Sequence, residues 1–349
     1  MPLAPPAAAG GSPVLRTQGG RPPRAMVLAA GLGTRLRPLT DRLPKPLVPL
    51  FDQPLLAYNL RLLASLGVRE VVINVFGPAT QIRTRLGDGR ALGLELRYSE
   101  ETTLLGTGGG VRRQLAWLGE HGTFLVLNGD TIVAGDLAGA WARHQRRAAQ
   151  ATLLLHAHPE AAAYGAVDLD AHGRITALGS LLGPAPASSL LFGGVHFLEP
   201  ELLADLSPDA SACLIRDAYV PALRRGLLLC GDPALTSWAD LGTPARYLAA
   251  HQTLLRQPGR FPHAGGAGAT AAPAPEPGSL TRVEPCWLGP GVQSRGPAVV
   301  GPDAVIGAGT TLAAGIELQR CVVWPGSTVT RSLTDGIWLT DGEFVAVAG

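Results

Sequence analysis

The chain has 349 residues, of which 46% are hydrophobic and 16% charged, enough for two domains and a sizeable buried core. A formal net charge of +2 excludes a broad basic surface of the kind that binds nucleic acid, and no apolar run reaches the length that crosses a membrane. The four cysteines (Cys213, Cys230, Cys286 and Cys321) form no CxxC pair, which argues against structural zinc and a disulfide framework.

Residues 1–24 hold no basic stretch followed by an apolar one and read as a disordered tail on a cytoplasmic protein. Order is predicted to begin at AMVLAAGLGTRL, an apolar strand running into a glycine-rich turn. Helical spacing follows in PLLAYNLRLLASLGV, then the buried strand EVVINVF and the strand LELRYS. VRRQLAWL is helical, TFLVLNGD is a strand ending in an acid, and LAGAWARHQRRAAQ is a helix that Asp136 caps. The strand ATLLLHAH comes next. Such alternation predicts a mostly parallel sheet covered on both faces, with ligands at the carboxyl ends of its strands. The turns after AMVLAA and TFLVLN therefore belong at the same edge.

Beyond residue 160 the pieces shorten. YGAVDLDAHGRITAL reads as a hairpin, SLLFGGVHFL as a strand, and ARYLAAHQTLL as a last helix after SWADLGTP. Residues 256–281 have linker composition. Past them, the six-residue units LGPGVQ, VGPDAV, IGAGTT, LAAGIE and, loosely, VWPGST predict a small left-handed parallel β-helix over 282–349. Five such units amount to fewer than two coils.

The turn AAGLGTRLRPLT (29–40) is neither a dinucleotide fingerprint, because Leu36 stands at the third glycine position, nor a P-loop, because G-K-[ST] is absent. It offers closely approachable backbone N–H groups at Gly31 and Gly33, and Arg35 adds a planar donor fork suited to phosphate oxygens. Arg37 reads as a solvated surface residue. Of 29 basic side chains only Lys45, between two prolines in LPKPLVPL, is a lysine. Its compact ammonium suits a narrow gap between phosphates, where arginine's wider plane fits poorly.

G-x-G-T-R-L-R-P-L-T followed by P-K-P-L-V-P resembles the signature of sugar-1-phosphate nucleotidyltransferases, and the resemblance extends over residues 25–255. It implies a doubly wound, Rossmann-like α/β nucleotidyltransferase domain, the β-helix being an appendage found in part of that family. It also implies nucleotide binding by Leu28, Ala29, Ala30, Gly31, Gly33, Thr34 and Arg35, with Lys45 bridging phosphates at the reacting centre. Asp130 of LVLNGD and Asp240 of SWADLGTP are implied as Mg²⁺ ligands, so that Arg35, Lys45 and Asp130 form the catalytic set. A hard cation held by carboxylate oxygens relieves the crowding of charge as one phosphate attacks another. Asp130 has a plainer alternative as a turn cap.

In LLGTGGG, the resemblance places Thr107 and Gly108 beside the nucleobase or ribose, the alternative being a loose helix start. Gly165, Gly193 and Gly194 fall where relatives hold the sugar phosphate. One departure stands out: many relatives carry an E-K-P motif after the hairpin, and this chain has ALGSLLGPAP (177–186) instead, with no second lysine. His156 and His158 read as solvent-facing, since no third metal ligand accompanies them.

The expected reaction is transfer of a nucleotidyl group from a nucleoside triphosphate to a sugar 1-phosphate. Mannose 1-phosphate with GTP is the first choice. The alternatives are uridylyl or thymidylyl transfer to N-acetylmuramate 1-phosphate or glucose 1-phosphate, and a non-catalytic regulator that senses nucleotide-sugars. The β-helix contains no histidine to serve as an acyltransferase base, so it is expected to assemble homo-oligomers or regulate. A chain ending at residue 256 should then keep its transferase activity.

Overall fold

The computed structural model describes residues 14–77, 79–183, 187–208, 210–264 and 280–347. Residues 1–13 of the expected tail, 184–186 of ALGSLLGPAP and 265–279 of the expected linker lie outside the described residues. The chain divides into two compact units. One comprises the described residues up to Leu32 together with Asn59–Trp238, and the other Gly33–Tyr58 together with the described residues from Ala239 onward. The segment carrying Lys45 thus groups with the C-terminal part of the chain.

The first unit is built on an eight-stranded sheet. In chain order its strands are β1 (Ala25–Leu28), β2 (Glu70–Phe76), β3 (Glu95–Glu101), β4 (Phe124–Asn128), β5 (Thr131–Gly135), β6 (Ala151–Ala157), β7 (Leu190–Leu198) and β8 (Leu229–Asp240). Their order across the sheet is β3-β2-β1-β4-β7-β6-β8-β5. The pairs β3–β2, β2–β1, β1–β4 and β6–β8 are parallel, while β7 runs antiparallel to both neighbours, β4 and β6. The four-residue β1, buried at its first three positions, is central because it is apolar on both faces. The hairpin expected in YGAVDLDAHGRITAL forms between Val167–Leu169 and Ile175–Leu178. Asp136 caps the helix Leu137–Arg147 by accepting from Gly139 N at 2.8 Å, as expected.

Residues 14–24 correct the expectation of a disordered tail up to residue 24. Leu15 is buried and its N–H donates to Leu66 O at 2.9 Å, while the carbonyl of Arg16 accepts from Trp141 Nε1 and Gln145 Nε2, each at 2.8 Å. Arg24 pairs with Glu70 and Glu120 and lies over the Trp117 ring. The composition of the segment concealed these few anchoring side chains.

In the second unit, short parallel strands stack as a β-helix. Leu280 pairs with Ala298 and Ala298 with Ile316, a spacing of 18 residues (298 − 280 and 316 − 298), which is three hexads per coil. Leu333–Trp338 adds a further rung on the strand Ile316–Val323. The solenoid is therefore longer than the five recognisable units implied. Rungs such as Leu280–Arg282 carry polar and charged residues where the hexad signature is read, because outward-pointing positions are free to vary. Its interior is apolar, with Val300, Ile306, Leu312, Leu318 and Val323 among the buried residues. Within the same unit, the helix Pro244–Arg256 is capped by Thr243 and bonds to the solenoid through Arg256, which grips both carboxylate oxygens of Asp303 at 2.8 and 2.6 Å. No helix among the described residues is long and apolar enough to cross a membrane.

Candidate active site

Leu28, the last residue of β1, pairs with Asn74 of β2 on one side and Asn128 of β4 on the other, so these three residues stand level at the carboxyl ends of adjacent parallel strands. Here the glycine-rich turn leaves the sheet. Its first peptide is fixed by a buried relay: Ala29 N donates to Asn74 Oδ1 at 2.8 Å, and Asn74 Nδ2 donates to Glu101 Oε1 at 2.7 Å. Glu101 Oε2 in turn accepts from Leu105 N at 3.0 Å. One chain of hydrogen bonds thus ties the start of AAGLGT to the start of LLGTGGG. A buried carboxylate and amide with both partners in place hold their loops more firmly than either would alone.

Sequence reading missed Asn74 and Glu101. A signal existed: the chain contains only three asparagines (Asn59, Asn74 and Asn128), and all three lie at this edge, Asn59 Nδ2 donating to Asn128 O at 3.1 Å.

Asp130 occupies the turn between β4 and β5, half-buried, just after Gly129 N donates to Leu28 O at 2.9 Å. Gly193 and Gly194 pack against this same turn. A Cβ on Gly194, whose φ is +88°, would lie 2.8 Å from Thr131 Oγ1 and 3.1 Å from the Asn128 side chain, so glycine is required for β7 to approach. The register of β7 on β6 shifts between Phe192 and His196, an irregularity that carries the two glycines toward Asp130's turn. Gly165 ends the short helical turn Ala161–Tyr164 at φ +82°, with open space where a side chain would be.

Thr107 and Gly108 lie in the helix Gly106–Arg113, and both are engaged within the protein. Thr107 Oγ1 accepts from Leu214 N at 2.9 Å, and Gly108 N donates to Ala212 O at 2.7 Å. His156 is not solvent-facing, which corrects the expectation, and His158 is half-buried. His156 is buried with Nδ1 bonded to Leu235 O at 3.0 Å, and His158 stacks edge-on to Tyr164 and Trp238. Leu235 of β8 and the Tyr164 and Trp238 rings, not residues adjacent in sequence, engage the pair.

In the second unit, the remainder of the signature folds back on itself. Gly33 has φ +65°, and its carbonyl accepts from Thr40 Oγ1 and from Leu36 N, each at 2.9 Å. A Cβ there would meet Thr40 Cγ2 at 2.9 Å and Lys45 Cβ at 3.1 Å, so the turn lies directly against the lysine. Leu36 and Leu39 are buried, whereas Thr34 and Arg35 are exposed. This alternation anchors the motif and leaves its polar members available to a ligand. Arg37 pairs with Asp41 at 3.1 Å on the surface, consistent with a solvated residue. Lys45 opens a short helical turn, Lys45–Leu47, between its two prolines. Asp240, at the end of β8, is ion-paired with Arg246, and a Cβ on Gly242 would lie 2.8 Å from Asp240 Oδ1.

A family model described as nucleotidyl transferase matches residues 24–257. The chain is 29% identical over 308 residues to a mannose-1-phosphate guanylyltransferase of Mycobacterium tuberculosis, covering 88% of this chain and 83% of the relative. It is 35% identical over 231 residues to an N-acetylmuramate alpha-1-phosphate uridylyltransferase of Neisseria meningitidis, covering 64% of this chain and 94% of the relative. Among solved structures, HddC from Yersinia pseudotuberculosis superposes with a TM-score of 0.55 at 22% identity, over 65% of this chain and 97% of the other, a likeness of fold.

Proposed function

We propose that this chain, which belongs to the sugar-1-phosphate nucleotidyltransferase family, transfers a guanylyl group from GTP to mannose 1-phosphate, giving GDP-mannose and pyrophosphate. The coarser activity, nucleotidyl transfer to a sugar 1-phosphate, is the family's own. The guanylyl reading is supported by the match to the mannose-1-phosphate guanylyltransferase, which extends over 88% of the chain and so runs past the nucleotidyl transferase region into the β-helix. A second reading, uridylyl transfer to N-acetylmuramate 1-phosphate, is supported by the higher identity, 35%, of a relative whose match covers 64% of the chain.

In either case a phosphate oxygen of the sugar 1-phosphate attacks the α-phosphorus. The bond to the β-phosphate oxygen breaks, and the electron pair leaves with pyrophosphate. The attacking oxygen is already ionised, so no side-chain base is needed, and the protein's work is positioning and neutralisation of charge. Gly31 and Gly33 let the backbone close on the triphosphate, Arg35 offers its donor fork, and Lys45 places a point charge between phosphates. Asp130 and Asp240 are the groups that would hold Mg²⁺. Their carboxylate oxygens are the hard donors this ion takes, and one or two such ligands completed by substrate phosphates is its usual arrangement. When bound, the ion supplies further neutralisation of phosphate charge. Gly165 leaves open space beside the Tyr164 helical turn for the sugar phosphate, while Gly193 and Gly194 let β7 pack closely and offer backbone groups beside it.

The test is pyrophosphate release with four nucleoside triphosphates against mannose, glucose and N-acetylmuramate 1-phosphates. GTP with mannose 1-phosphate should give the highest kcat/KM. A preference for UTP with N-acetylmuramate 1-phosphate would replace the first reading by the second.

A further inference from the structure

The short segment that carries Lys45 is anchored to the β-helix at both its ends. Upstream, Arg42 Nε donates to Asp341 Oδ2 at 2.9 Å, and its guanidinium also pairs with Glu343, both acids lying in the hairpin turn that joins the last rung, Leu333–Trp338, to the antiparallel strand Phe344–Ala346. Downstream, Asp52 Oδ1 accepts from Ala308 N at 2.8 Å, and the Phe51 ring meets Trp287 edge-on with centroids 5.2 Å apart. Phe51 itself is held at φ +53°, a conformation a bulky side chain rarely adopts. Backbone strain of this sort persists only where the surroundings enforce it. Phe51 N donates to His251 Nε2 at 3.0 Å on the helix Pro244–Arg256, and that helix is itself fixed to the solenoid by Arg256 and Asp303. Between these anchors the chain has one 3₁₀ turn, Lys45–Leu47, and a two-residue strand, Pro49–Leu50, with little regular structure of its own to set where Lys45 stands.

We propose that the β-helix is a positioning element for nucleotidyl transfer: it holds the Lys45 segment taut between Arg42 and Asp52, and Arg42 acts on the reaction through Lys45 rather than by touching substrate. This rests on the phosphate role assigned to Lys45 above. It reverses the expectation, drawn from the β-helix's lack of a catalytic histidine, that a chain ending at residue 256 would keep its activity. A solenoid with no catalytic group still contributes to turnover if it fixes a group that has one, because misplacement by an ångström is expensive in rate.

The test uses the full-length chain. Asp341→Asn with Glu343→Gln removes the charges that hold Arg42 while keeping their shape, at an exposed site whose ion pairs add little to folding. The expected result is a loss of about tenfold in kcat/KM for the nucleoside triphosphate, carried by kcat, with Tm within about 2 °C of the parent. Arg42→Ala should match that loss, Arg42→Lys should recover most of it, and Arg42→Ala added to the acid pair should cost nothing more. In a Lys45→Ala background the acid-pair variant should have no further effect, since its action passes through Lys45. If the acid-pair variant turns over normally while Arg42→Ala does not, Arg42 acts on substrate directly and the proposal fails. It also fails if the acid-pair effect persists in full without Lys45. Normal turnover by Lys45→Ala alone would instead overturn the functional reading of that lysine, an outcome the single variant reports separately.

Discussion

Gly33 lies against the stem of Lys45: a Cβ on residue 33 would sit 3.1 Å from Lys45 Cβ, and 2.9 Å from the Thr40 methyl. Two motifs separated in sequence are thereby one structural unit. Gly33→Ala adds a methyl at φ +65° and pushes on both neighbours, so it should cost about 1–2 kcal/mol of stability. Because the displaced neighbour is Lys45, kcat should fall as well, at temperatures where the variant is fully folded. Thermal melts and steady-state rates on the same preparation check both halves.

Lys45→Arg keeps the charge and exchanges a compact ammonium for a wider plane. A rate loss of roughly a hundredfold, about 3 kcal/mol of transition-state stabilisation, is expected. Unfolding midpoints should stay close to the parent's. Near-normal turnover would remove Lys45 from the phosphate site.

The carboxylates divide the metal question. Asp130→Asn and Asp240→Asn should each raise the Mg²⁺ concentration needed for half-maximal activity and lower the maximal rate. Asp240 also pairs with Arg246, so its variant alone should lose some thermal stability. A wild-type Mg²⁺ titration in Asp240→Asn would mean that this acid serves Arg246 and not the ion.

Asp52 gives a pH dependence of stability. Burial pushes its carboxyl up from 3.8 to about 6, against the opposing hydrogen bond from Ala308 N, and its Oδ2 is buried with no hydrogen-bond partner among the described residues. The folded protein therefore binds more protons at this site than the unfolded chain between about pH 4 and 6. Stability contributed here is greatest below pH 4 and falls as pH rises through 6. Asp52→Asn keeps the acceptor for Ala308 N and removes the charge. The upward shift of about two units corresponds to up to about 3 kcal/mol, reduced to about 1–2 kcal/mol by solvent access. The variant should thus be more stable than the parent at pH 7 and about equal to it at pH 4, as read from denaturant midpoints at the two values.

Motifs whose chemistry depends on contiguous residues were legible in the sequence. The glycine turn, Arg35, the solitary lysine, the NGD turn and the hexad units are each a short run in which residue type and spacing carry the signal. The strands of the sheet were legible too, because their apolar periodicity is local, and so was the cap at Asp136. What the sequence left open depends on partners far along the chain. Asn74 and Glu101 are ordinary polar residues until strand pairing sets Leu28 level with Asn74 and brings Leu105 N to Glu101. His156 and His158 read as exposed because their partners are Leu235, Tyr164 and Trp238, brought to them by the fold and not by adjacency in sequence. The tail at 14–24 read as disordered because its anchors, Leu66 and Trp141, lie far along the chain. Above all, the link between Arg42 and Asp341 spans 299 residues. Local composition fixes which groups are present and what secondary structure they favour, while long-range packing decides which of them are held against one another. In this protein that second step gave the β-helix its hold on the Lys45 segment.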